Sequence, residues 1–106
     1  MSFCIKTHNG IERIHLKQVL YFAAKHKHVT LYYKWGAVLL NDTLVALEKE
    51  FGHYLLRIHR NTLVVRHRLL RLENQPTGAI CVYLKDCSDA LLVSRRHAPL
   101  VRRAMQ

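Results

Sequence analysis

The chain has 106 residues, half of them apolar, which is enough for one domain with its own core and excludes a disordered tail. Seventeen Lys and Arg stand against seven Asp and Glu, and the formal charge of +10 suits a polyanionic partner better than a small-molecule pocket. No apolar run approaches the roughly 18 residues of a membrane-spanning helix, and no secretory leader opens the chain, so no membrane role and a cytoplasmic location are expected.

The elements follow in chain order. Phe3 to His8 leads into Asn9-Gly10, whose tolerance of positive φ predicts a hairpin returning through Ile11 to Ile14. Phe3, Ile5 and Thr7 alternate with Cys4 and Lys6, as one buried face requires. A helical turn is expected near Lys17-Gln18, then a buried strand over Val19 to Phe22. Lys25-His26-Lys27-His28 interrupts the apolar pattern. Val29 to Tyr33 restores it, Lys34-Trp35-Gly36 turns, and Ala37 to Leu40 is another strand. A short helix is predicted over Thr43–Phe51, capped by Asn41 or Asp42, with Leu44, Leu47 and Phe51 on one face and a left-handed Gly52 at its end.

Tyr54 to Ile58 and Thr62 to Val65 read as strands around His59-Arg60-Asn61, and Arg66-His67-Arg68 is a further basic break. Leu69 to Leu72 is extended, Gln75 to Gly78 turns, and Ile80, Val82 and Leu84 alternate inward. Asp86 to Asp89 turns, Leu91 to Val93 is the last strand, and Ala98 to Met105 is helical with Pro99 in its first turn. The fold class is therefore mostly β, small antiparallel sheets with one central short helix and a C-terminal helix. Leu44, Leu47, Phe51, Ile80, Val82 and Leu84 are assigned to the core, and the Tyr and Trp side chains to packing.

The basic charge is uneven. In the first half it is Lys apart from Arg13, and in the second half Arg apart from Lys85. The guanidinium fork matches phosphate oxygens or a guanine edge, whereas Lys is a point charge. Three basic clusters fall at breaks or ends of strand patterns: Lys25 to His28, Arg57 to Arg60 with His59, and Arg95-Arg96-His97. A β scaffold that carries such loops along one edge can read duplex grooves. Arg95 and Arg96 also fall near the start of the last helix, where free N–H groups favour phosphate. His59 has two readings, a DNA contact or a packed ring that holds its loop by a hydrogen bond.

Ile14-His15-Leu16 through Val19-Leu20-Tyr21-Phe22, His28-Val29-Thr30-Leu31, Leu44-Val45-Ala46-Leu47-Glu48, Arg57-Ile58-His59-Arg60-Asn61 and Val93-Ser94-Arg95-Arg96-His97 together resemble the LytTR DNA-binding domain of bacterial response regulators. The resemblance spans nearly the whole chain. It implies one LytTR-type domain over residues 1–106, made of stacked small sheets whose loops touch two successive major grooves and the minor groove between them. By position, the Lys25–His28 loop would enter one major groove, Arg60 would lie at the intervening minor groove or its phosphates, and Arg96 with Arg95 would reach the second. Many members carry a Gly-Asn-Tyr-like tip where this chain has His26-Lys27-His28, which leaves the base read there unassigned.

The implied DNA-binding set is Lys25, His26, Lys27, His28, Arg57, His59, Arg60, Asn61, Arg66, Arg95, Arg96 and His97. The implied partners are double-stranded DNA, a second copy on repeated half-sites, and a sensor kinase acting through a receiver domain. Members usually carry that receiver domain on the N-terminal side. Met1-Ser2 lies directly before a strand, so an excised or naturally truncated output domain is expected.

Two other readings compete. An RNA-binding module would use Tyr32, Tyr33 and Trp35 as a stacking platform, and a small basic nuclease would use His28, His59 and Arg96 for acid–base work. His26-x-His28 has no second close pair to complete a zinc site, and three cysteines, an odd number, read as reduced thiols. No enzyme activity, metal or other cofactor is expected.

Overall fold

The computed structural model describes residues 2–7 and 9–106. Ten strands and two helices run in the order β1 (Ser2–Thr7), β2 (Gly10–His15), β3 (Val19–Lys25), β4 (His28–Tyr33), β5 (Gly36–Leu40), α1 (Leu44–Phe51), β6 (Leu55–His59), β7 (Thr62–Val65), β8 (Leu69–Asn74), β9 (Ile80–Leu84), β10 (Leu91–Val93) and α2 (Ala98–Ala104). The strands form a seven-stranded sheet, ordered β2-β1-β5-β4-β3-β7-β6, and a three-stranded sheet, ordered β10-β9-β8. Every pairing is antiparallel.

The first hairpin pairs Thr7 with Gly10, so the connection is one residue earlier than the Asn9-Gly10 turn expected. His8, the last residue of the predicted first strand, lies outside the described residues. Phe3 and Ile5 are buried while Cys4 and Lys6 are exposed, as the alternation requires. The helical turn near Lys17-Gln18 is a 3₁₀ turn over Leu16–Gln18.

The continuous apolar runs of β3, β6 and β7 have a physical reason: these strands are covered on both faces. Val19, Phe22, Leu55, Leu63 and Val65 join Phe3, Ile5, Leu44 and Leu47 in one core. Leu20, Tyr21, Leu56, Ile58 and Val64 join Val82, Leu84, Leu91, Val93 and Val101 in a second core, against the smaller sheet and α2. Phe51 closes the first core edge-on to Phe3, with ring centroids 4.4 Å apart.

Three local expectations are corrected. The cap of α1 is Thr43, whose Oγ1 accepts the Ala46 N–H at 3.0 Å, while Asp42 accepts the Thr43 N–H at 2.9 Å. Gly52 is right-handed (φ −58, ψ −23) because the chain leaves α1 through a further turn in which Tyr54 N–H reaches the Phe51 carbonyl. Trp35 is 71% exposed, since it sits at the tip of the β4–β5 turn with no layer facing it, and Tyr54 is exposed as well. Tyr21 and Tyr32 do pack, stacked at 4.5 Å.

Candidate nucleic-acid interface

Three turns sit side by side at one end of the strands. The first joins β3 to β4, with Lys25 paired to His28 and His26-Lys27 between them. His26 has φ +59, the left-handed conformation that glycine adopts freely and other residues rarely. The second turn joins β6 to β7 through Arg60 and Asn61. The third, Ser94 to His97, joins β10 to α2. Main-chain bonds fix their spacing. Ala24 N–H donates to the Asn61 carbonyl at 2.8 Å, tying the first turn to the second, and Ser94 N–H donates to the Ile58 carbonyl at 3.0 Å, tying the third to β6.

Two shallow hollows separate the three turns. His26, Lys27, His28, Arg57 and Arg60 border the first, with the start of α1 at its far wall. His59, Arg60, Ser94, Arg96 and His97 border the second. Arg60 belongs to both and forms the ridge between them. Lys25, His26, Lys27, His28, Arg60, Asn61, Arg95 and Arg96 are exposed.

The second turn is internally braced. Asn61 N–H donates to His59 Nδ1 at 3.4 Å, and Thr62 Oγ1 donates to Asn61 Oδ1 at 3.0 Å. Arg57 faces α1, with only 15% of its side chain exposed. Its Nη1 donates to the Arg60 carbonyl at 2.5 Å and its Nη2 to Glu48 Oε1 at 3.0 Å. In the third turn, His97 N–H and Ala98 N–H both donate to the Ser94 carbonyl at 3.0 Å, and Ser94 Oγ lies 2.5 Å from His97 Nδ1. Burial first, then the positive charges of Arg96 and Arg57 and the nearby His59, hold the His97 imidazole below the ordinary histidine range, with Glu48 opposing.

The structure thus brings eleven of the twelve predicted positions together, Lys25 to His28, Arg57, His59 to Asn61 and Arg95 to His97, with Arg57 turned inward. It does not bring Arg66 to this face. Arg66 follows β7 at the end away from Asn61, where its N–H donates to the Tyr54 carbonyl. Glu48 belongs to the site and was not singled out for it, because only the packing of α1 against β6 puts an acid beside Arg57. Among the described residues, no group of three or more His, Cys, Asp or Glu is placed to hold a metal ion. Cys4, Cys81 and Cys87 are free thiols.

The family model for the LytTr DNA-binding domain matches residues 9–106, and the chain belongs to that family. The positive alginate biosynthesis regulatory protein of Pseudomonas aeruginosa (strain PAO1) is 52% identical over 101 residues, covering 94% of this chain and 41% of that protein. An HTH-type transcriptional regulator of Staphylococcus aureus (strain bovine RF122 / ET3-1) is 32% identical over 76 residues, covering 72% of this chain and 52% of that protein. This chain therefore spans about two fifths and one half of the lengths of these relatives. A solved LytTr DNA-binding domain from Bacillus cereus superposes with a TM-score of 0.80 at 17% identity, over 98% of this chain and 95% of that one, and shares the fold.

Proposed function

We propose that this domain binds duplex DNA sequence-specifically as the output module of a two-component transcription regulator, without enzymatic activity. The observation that carries this reading is the alignment of the three basic turns on one face, with Arg60 between the other two. The Lys25–His28 hairpin enters one major groove, Arg60 and Asn61 meet the minor groove or its phosphates, and Arg96 with Arg95 enters the next major groove. Lys25, Lys27 and Arg95 supply phosphate contacts that give affinity without sequence information, and Arg96 presents the fork that reads guanine.

The partners are double-stranded DNA and a second copy on repeated half-sites. In the full regulator a sensor kinase acts through a receiver domain, and the protein works in the cytoplasm. The family match and the kinship to the alginate regulator support this setting. Selection from a random duplex pool, followed by titration of the winning duplex against its shuffled version and a structured RNA, tests the reading. The winning duplex should bind at least 10³-fold tighter than the shuffled one, in the range of specific regulators. Equal affinity for all three ligands contradicts it.

A further inference from the structure

An acidic residue on a face built for DNA is anomalous on charge grounds alone. Glu48 on α1 is 43% exposed and pairs with Arg57, which lines the first hollow. A carboxylate there repels phosphate, so a purely electrostatic account makes it a liability. The geometry gives it another task. Glu48 Oε1 accepts from Arg57 Nη2, and Arg57 Nη1 donates to the Arg60 carbonyl. The ion pair thus spans from α1 to the backbone of the turn that carries Arg60 and Asn61.

Arg57 has its side chain mostly buried and both terminal nitrogens engaged in this link. A guanidinium is suited to the role, because its planar fork fixes two acceptors relative to each other. The Arg60 side chain itself makes no hydrogen bond or ion pair with another described residue. The backbone that Arg57 grips therefore sets where this side chain leaves the turn.

We infer that Glu48 and Arg57 are positioning residues for DNA reading: Glu48 orients Arg57, and Arg57 holds the Arg60–Asn61 turn at the ridge between the two hollows. This rests on the proposed DNA function. It reassigns Arg57 from a DNA contact to the brace behind one, and it makes an acid on the basic face a contributor to specificity at some expense of bulk affinity.

The test compares Glu48→Ala with Glu48→Gln. Both remove the same charge, but only Gln keeps an oxygen that accepts from Arg57. Glu48 is partly exposed on a helix and Ala is the best helix former, so both variants fold. Affinities are measured for the pool-selected duplex and its shuffled version. Both variants should bind the shuffled duplex as well as or better than the parent does. The selected-to-shuffled ratio should fall about three- to tenfold in Glu48→Ala and stay within about twofold in Glu48→Gln. Equal ratios in the two variants, whether at the parent value or below it, overturn the inference. Backbone amide shifts of Arg60 and Asn61 in the DNA-free protein provide a readout independent of binding. They should move in Glu48→Ala and hold in Glu48→Gln. If the parent prefers no duplex, the proposed function fails and these shifts alone decide the brace, with identical spectra overturning it.

Discussion

The two ends of the strands differ in what one arginine at each does. At one end Arg60, Arg95 and Arg96 stand exposed on turns. At the other, Arg68 is 5% exposed, and its guanidinium donates to the Lys85 carbonyl at 2.8 Å, the Lys17 carbonyl and the Asp86 carboxylate at 3.4 Å. Lys34 also pairs with Asp86, at 3.8 Å. Arg68 staples the turn before β3 to the turn after β9, which closes the second sheet onto the first. Arg60, Arg95 and Arg96 are thus presented charges at one end, Arg68 is an internal fastener at the other, and Arg57 carries the fastener's role into the presenting end.

Breaking the fastener should have the largest effect. Arg68→Ala leaves two main-chain carbonyls without their donor, so unfolding free energy should fall by about 2–3 kcal/mol. The thermal midpoint should drop by about 10 °C or more for a domain of this size. The duplex preference of the protein that remains folded should not change. A loss of preference with no loss of stability would contradict the contrast between the ends.

Arg96→Ala should do the reverse. Thermal melting should show stability within about 0.5 kcal/mol of the parent. Competition titration should show about 1–3 kcal/mol less discrimination between selected and shuffled duplexes, with little change in binding to the shuffled one. Equal weakening on both would make Arg96 a phosphate contact.

A smaller effect separates two exposed lysines at opposite ends. Lys25→Ala should lower the slope of log affinity against log salt by about 0.9, whereas Lys85→Ala should leave it unchanged. Equal slope changes would mean that DNA meets both ends.

The smallest effect is a pH dependence. Because the folded protein holds His97 below its ordinary range, the unfolded chain takes up a proton first as pH falls through about 6.5. Stability should therefore decline slightly below that pH. DNA affinity should rise over the same interval, because phosphates favour the imidazolium. Denaturant titrations and binding curves at pH 7.5 and 5.5 check both trends, and His97→Gln should reduce both.

Much of the fold was legible in local pattern. The alternation of Phe3, Ile5 and Thr7 placed the first strand, and the unbroken runs Val19 to Phe22 and Leu63 to Val65 marked strands covered on both faces. Strand order was not legible, since β3–β7 and β1–β5 neighbours are distant in sequence and no local signal encodes the pairing. Trp35 stands exposed where packing is expected, because an aromatic at strand spacing reads the same whether a layer faces it or not. The basic turns of the site were legible as breaks in apolar runs, and a resemblance to one family ordered them. Which arginines face inward was not. Arg57 is committed by Glu48, and Arg66 is placed off the face by the direction of β7. Both depend on contacts that only the assembled fold creates.

The most direct test is an amide NMR titration of the intact domain with the pool-selected duplex. Signals of residues 25–28, 59–61 and 94–97 should shift together and saturate at one stoichiometry, while those of Lys17, Lys34, Arg66 to Arg68, Lys85 and Asp86 hold still. Shifts concentrated at the second group, or scattered over both ends, would contradict a DNA-reading face made of the three turns.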